Sequence, residues 1–156
     1  MGYLQKDEFL QVIKNTQLVA TDLIIFNYQG EVLLGKRKNE PAKDSWFVPG
    51  GRIYKYEKTE TAVNRISKQE LGTSLSMDNQ IGVYHHMYNN NVDNNDFGTH
   101  YVVFAVSIHL TYDINLKPNN HHDELKWWSV SDLLNDDSVH LYTKNYFHPS
   151  PWNKTF

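Results

Sequence analysis

Cysteine is absent from the 156-residue chain, which excludes a disulfide framework, a zinc–thiolate centre and a thiol nucleophile, and removes the usual mark of a small secreted domain. Missing too is any apolar run near the ~18–20 residues that a membrane span requires. Residues Met1 to Thr16 mix Lys6, Asp7 and Glu8 with Phe9, Leu10, Val12 and Ile13; this is the pattern of neither a signal peptide nor an anchor, and a cytoplasmic setting is expected. Positive charge is in short supply: 15 Lys and Arg against 18 Asp and Glu leave a net charge of -3. That balance excludes a sequence-independent nucleic-acid binder with a broad basic face. No repeat, low-complexity tract or Pro/Gly/Ser linker divides the sequence, and its length suits one domain over residues 1–156. What is plentiful is aromatic, ten Tyr and four Trp, which suits a stacking pocket, a rigid core or a subunit interface equally well.

The apolar spacing predicts a short helix over Lys6 to Asn15, then strands over Leu18 to Asn27 and Glu31 to Arg37 around the turn Tyr28-Gln29-Gly30. Trp46-Phe47-Val48 reads as a short buried strand stopped by Pro49-Gly50-Gly51. Thr59 to Leu71 has helical composition and ends at Gly72. Strands follow at Ile81 to Tyr88, Thr99 to Leu110 and Leu125 to Val130, the first two joined by an Asn-rich loop, with a short helix over Val130 to Leu134. The order α-β-β-β-α-β-β-β-α predicts a mixed α/β sandwich, not the regular alternation of a doubly wound parallel sheet. Leu141 to Phe156, with Pro149 and Pro151, is expected to pack irregularly.

On a helical wheel with Ala62 at zero, Ile66, Val63 and Glu70 share one arc, so Glu70 falls among residues that face inward. An inward carboxylate must shift its pKa or find a cation, either a metal ion or a buried arginine. Read blandly, it is a solvated residue in a fraying last turn. Arg65 and Gln69 lie at the edge of the same arc, and Gly50-Gly51 just ahead of the helix lets backbone approach whatever Glu70 binds.

Gly51, Glu57, Arg65, Glu70 and Gly72 at these intervals, directly after Trp46-Phe47-Val48-Pro49-Gly50, resemble the Nudix signature, a loop-helix-loop that binds a divalent cation and a diphosphate. Two positions depart from it. The signature has a glutamate after its arginine and another just before the position of Glu70, where this chain has Ile66 and Gln69. One carboxylate is too few to hold two or three metals for attack at phosphorus, yet a single hard cation can still neutralise a departing diphosphate. The chemistry is therefore expected beside the phosphates.

The likeness extends to Leu33-Leu34-Gly35-Lys36-Arg37, Asn39, Pro41-Ala42, Arg52, Thr99-His100-Tyr101-Val102-Val103 and His122-Asp123, and over most of its length the chain resembles the GDP-mannose mannosyl hydrolases of the Nudix superfamily. The resemblance implies a Nudix α/β/α sandwich with a mixed sheet. It implies hydrolysis of a GDP-hexose at the anomeric carbon with inversion, and a homodimer. It further implies that Glu70 and the Gly50 carbonyl hold Mg²⁺, that Arg37 and Tyr101 contact the diphosphate, and that Arg52 and Arg65 stabilise the departing charge. Asp22 and His86 would line the sugar side, and His122 would be the general base, a role that imidazole suits near neutral pH. Preceding it stands His121, where the family carries a metal-binding glutamine; imidazole suits Mg²⁺ poorly, so His121 either does not ligate or makes the site tolerant of Mn²⁺.

Each residue also has an ordinary reading. Any one of eight histidines can be a surface or sheet-packing residue, Arg37 a solvated strand end and Tyr101 core. Asp22, interrupting an apolar strand, is harder to explain that way. Glu57 is read as a neutraliser of Arg65 or a helix-start residue, not as catalytic. Two rival functions stand beside the main one: a pyrophosphatase that gives GMP and a sugar 1-phosphate, against which Ile66 and Gln69 argue, and a non-catalytic nucleotide-sugar sensor.

Overall fold

The computed structural model describes residues 4–93, 96–116 and 122–148, and of residues 122 and 123 the backbone alone. Helix α1 (Lys6–Asn15) precedes strands β1 (Leu18–Phe26), β2 (Val32–Arg37), β3 (Trp46–Phe47) and β4 (Gly50–Arg52). Helix α2 (Thr59–Leu71) follows, then β5 (Asn79–Tyr88), β6 (Thr99–His109), β7 (His122–Trp128), α3 (Val130–Asn135) and α4 (Leu141–Lys144).

The strands form one sheet in the order β3-β2-β1-β6-β5, with β4 added to β1 and β7 to β2. β1 runs parallel to β6 from Leu18↔Tyr101 to Phe26↔His109, while its pairings with β2 and β4 are antiparallel. The sheet is mixed, as the element order requires. Alternation along β1 sends Leu23 and Ile25 into a core with Ala62, Val63 and Ile66 of α2, and Ile24 into a second core with Trp46, Trp128 and Leu133 of α3. Each face of the sheet is thus covered by helix, which is the sandwich.

Three expectations need correction. Gly50 to Arg52 does not merely stop a strand: it is itself β4, paired as Ala20↔Arg52, Thr21↔Gly51 and Asp22↔Gly50. The strand over Leu125 to Val130 begins earlier, at His122, and ends at Trp128. The segment from Leu141 opens with a helical turn, capped by the His140 side chain accepting from the Tyr142 amide at 3.0 Å; residues 149–156 lie outside the described ones.

The end of α2 fixes the neighbourhood of Glu70. Gly72 adopts the left-handed conformation (φ 75°) and its amide closes on the Lys68 carbonyl at 3.0 Å, a stop that a side chain at this position resists. Gly72→Ala is expected to lower unfolding free energy by about 1–2 kcal/mol in urea denaturation; an unchanged midpoint would mean that the helix does not end in this way.

Candidate active site

One cleft of ≈ 110 Å³, open to solvent, is lined by Ala20, Asp22, Arg37, Pro41, Phe47, Val48, Gly50, Gly51, Arg52, His86, Tyr88, Tyr101 and Val103. Six residues expected in the site therefore share a surface: Asp22, Arg37, Gly50, Arg52, His86 and Tyr101. They come from five strands, and sheet register is what brings them together.

Its floor is set by the contact between β1 and β4. A Cβ built on Gly50 would lie 2.4 Å from Asp22 Oδ1 and 2.8 Å from the Thr21 carbonyl, so only glycine lets the two strands close up with a carboxylate between them. On Gly51 a Cβ would meet Ile66 Cδ1 at 3.1 Å, which seats the loop against α2. That helix presents Ala62, Val63, Ile66 and Glu70 inward, all buried, with Glu70 6% exposed and its Oε2 atom covered. The wheel arc is the one observed. Gln69 and Lys68 point outward.

Asp22 is half-buried, and loss of solvation raises its pKa from 3.8 to about 6 despite a hydrogen bond from the Tyr146 hydroxyl to Oδ2 at 2.5 Å and the positive charge of Arg37. The Tyr146 hydroxyl also lies 3.3 Å from His86 Nε2. His86 is buried and stacks on the Tyr142 ring at 4.4 Å with the planes 1° apart. Burial, aided by His140 and His85, lowers its pKa to about 3, so the imidazole is neutral at any working pH and offers one donor and one acceptor. Burial raises the phenol pKa values of Tyr88, Tyr101 and Tyr146, which stay protonated hydroxyls.

The cations divide into two groups. Arg37 donates from Nε to the Pro41 carbonyl at 3.0 Å and lies 5.7 Å from the Phe47 ring centroid, and with Arg52 it lines the cleft. Arg65 does not line it. Its guanidinium is taken by Glu57 Oε2 (2.8 Å) and Oε1 (2.9 Å), the Arg52 carbonyl (2.7 Å) and Gln69 Oε1 (3.2 Å). The bond to Glu57 raises the Arg65 pKa and lowers that of Glu57, so Glu57 neutralises Arg65, as expected of it. Glu70 too is absent from the lining. His121 lies outside the described residues, and for His122 the register alone speaks: its backbone is paired with that of Arg37.

Tyr88, Phe47 and Tyr146 went unforeseen. Tyr88 was within reach, because the two-residue period of a strand puts it on the face of His86. Tyr146, 124 positions from Asp22, carries no local signal beyond its aromatic surroundings. Among the described residues no group of three or more His, Asp and Glu converges as a metal cage, and no helix is long and apolar enough to cross a membrane.

Comparison with known proteins places this geometry. Residues 16–148 match the NUDIX domain family. The chain is 37% identical over 140 residues to the low-salt glycan biosynthesis protein Agl8 of Haloferax volcanii, covering 90% of this chain and 86% of that protein. Among solved structures it is similar to a MutT NUDIX hydrolase from Burkholderia pseudomallei (TM-score 0.68, 25% identity, 84% of this chain and 95% of that one). The NUDIX domain of Shewanella oneidensis NrtR, in complex with ADP ribose, has the same fold (TM-score 0.62, 22% identity, 91% and 96% covered). A match that spans both cores, the glycine strand and α2 leaves one assignment: the chain belongs to the NUDIX domain family.

Proposed function

We propose that this protein hydrolyses GDP-mannose or a related GDP-hexose to GDP and free sugar, as a single Nudix domain in a cytoplasmic setting. Water forms a bond to the anomeric carbon as the bond from that carbon to the β-phosphate oxygen breaks, with inversion; the water proton passes to His122 and the electron pair leaves with GDP. The observation that carries this reading is the make-up of the cleft. Two guanidinium groups, Arg37 and Arg52, stand on the same surface as one carboxylate, a neutral imidazole and the hydroxyls of Tyr88 and Tyr101, a set matched to a diphosphate joined to a polyol. A relative whose name places it in glycan biosynthesis supports a sugar as the second half.

The donor atoms offered to a metal are hard oxygens, the Gly50 carbonyl and the buried Glu70 carboxylate. This set fits Mg²⁺, with Mn²⁺ as the alternative, because Mg²⁺ is usually held by one or two carboxylates plus substrate phosphates and water. When bound, the ion would neutralise the diphosphate leaving group. Ile66 is core and Gln69 is exposed, so α2 offers no second inward carboxylate for attack at phosphorus. Arg37, Arg52 and Tyr101 bind the diphosphate, and Arg65 serves the departing charge through its bond to the Arg52 carbonyl. Asp22 faces the sugar carbon, where its charge stabilises the positive character that develops as the bond to GDP lengthens. Neutral His86 holds the sugar by hydrogen bonding. A homodimer completes the proposal, with exposed Val19, Met87 and Val92 at one end of the sheet as its apolar surface; light scattering checks the mass.

The deciding experiment supplies GDP-mannose, GDP-glucose and GDP-fucose with Mg²⁺ or Mn²⁺ in ¹⁸O-water. Label is expected in the free sugar with GDP unlabelled. Label in GMP or a sugar phosphate would instead establish attack at phosphorus, and binding without turnover would establish a sensor. His122→Gln is expected to lower turnover by roughly 10²–10⁴ while GDP still binds; unchanged turnover would remove His122 from the mechanism.

Keeping Asp22 charged has a thermodynamic signature of its own. Its pKa lies above the unfolded value, so its contribution to stability is fully present below pH 3.8 and is lost as pH rises through about 6. The difference corresponds to about 3 kcal/mol. Asp22→Asn is expected to raise unfolding free energy at pH 8 by roughly 1–3 kcal/mol and to lose that advantage near pH 4. Calorimetry at both pH values checks it; equal melting temperatures at pH 8 would refute the desolvated carboxylate.

A further inference from the structure

We infer that Tyr54 is a positioning residue which, with Phe9 of α1, fixes the Arg52 guanidinium at the cleft. Four observations converge on it. The Arg52 Cζ atom lies over two rings, 5.0 Å from the Phe9 centroid and 5.2 Å from that of Tyr54. The Arg65 Cζ atom lies over the same Tyr54 ring at 3.9 Å. Arg65 Nη2 in turn donates to the Arg52 carbonyl at 2.7 Å. Finally, Glu57 Oε1 accepts the Tyr54 amide at 3.0 Å while Glu57 holds Arg65, and the Glu57 amide returns to the Tyr54 carbonyl at 3.0 Å. Tyr54 is therefore locked by its backbone and supplies its ring to two cations.

The arrangement answers an electrostatic problem. Two arginines that share one ring repel each other, and an arginine at a cleft wall loses rotamer freedom when it must hold one position. An aromatic face attracts a cation within about 6 Å and is not protonated or displaced by the ligand. Arg65 pairs with Glu57 and does not line the cleft, whereas Arg52 does. The rings orient it before the ligand arrives, and preorganisation of this kind serves both affinity and the developing charge. α1, remote from the cleft lining, reaches the chemistry through Phe9.

The inference rests on assigning Arg52 to the diphosphate, so its test has an arm that needs no substrate. Protein labelled with ¹⁵N-arginine is compared as wild type, Tyr54→Leu, Tyr54→Phe and Phe9→Leu. The Arg52 side-chain Hε signal is expected upfield in the wild type from the ring currents, to move downfield in the two leucine variants, and to stay largely in place in Tyr54→Phe. Titration with GDP and Mg²⁺ is expected to show a roughly 2- to 30-fold weaker Kd for Tyr54→Leu, near-complete rescue in Tyr54→Phe, and no further loss when Tyr54→Leu is added to Arg52→Met. An Arg52 signal unmoved in Tyr54→Leu overturns the clamp whatever the turnover. A signal that moves, in a protein that turns over no GDP-hexose, leaves the clamp standing and overturns the substrate assignment. Loss of GDP affinity in Tyr54→Leu that persists at full size in the Arg52→Met background also overturns it, because the ring would then act by another route.

Discussion

The approach of β4 to β1 at Gly50 decides where every charged group of the cleft can stand. Because no Cβ fits between Gly50 and Asp22, the backbone of the glycine strand lies directly against a carboxylate on the central strand. The same pairing points Arg52 at the cleft wall and seats Gly51 on Ile66 of α2. A single steric constraint thereby couples the proposed metal-binding carbonyl, the sugar-facing acid and the helix that carries Glu70. Widening this contact by one methyl group would separate all three at once, which is why the glycine strand is better regarded as the keel of the site than as a connecting turn.

Around that contact the charges are graded by what surrounds them. Glu57 and Arg65 satisfy one another's charge. Arg37 donates to the Pro41 carbonyl and lies by the Phe47 ring, Arg52 lies over the Phe9 and Tyr54 rings, and both line the cleft that an anionic ligand would enter. Asp22 is the costly member, because burial outweighs the help it receives from Tyr146 and Arg37. A fold selected only for stability would place an amide or an apolar residue there. A destabilised acid in a cleft beside neutral His86 is the local conflict on which the sugar-facing role proposed for Asp22 rests.

The sequence made α1, α2, α3 and the longer strands legible because their apolar spacing and stops are local: α2 with its inward arc and its Gly72 stop is the clearest case, and the burial of Glu70 follows from it. β4 was illegible because three residues, two of them glycine, carry no strand propensity; the strand exists through its pairing with β1, a tertiary override of local preference. Arg65 shows the limit of motif reading. Its spacing marks it as part of the signature, but spacing does not show that its guanidinium bonds to Glu57 and to the Arg52 carbonyl while Arg37 and Arg52 line the cleft. Tyr146 was unreachable for a different reason: a contact across more than a hundred residues leaves no trace in local periodicity.

The segment from His140 to Phe147 shows how such a distant element becomes part of a site. β5 lies at the edge of the sheet, where outward backbone groups would be open to another strand. One phenol answers both groups of Met87: the Tyr142 hydroxyl donates to its carbonyl at 2.7 Å and accepts from its amide at 3.0 Å. Anchored there, the Tyr142 ring is held parallel to His86, and one helical turn later Tyr146 reaches the Asp22 carboxylate. The edge bond fixes the segment, the segment fixes the two tyrosines, and the tyrosines fix an imidazole and an acid that strand pairing alone leaves free to rotate. Protection of the sheet edge and construction of the cleft wall are thus the same set of contacts.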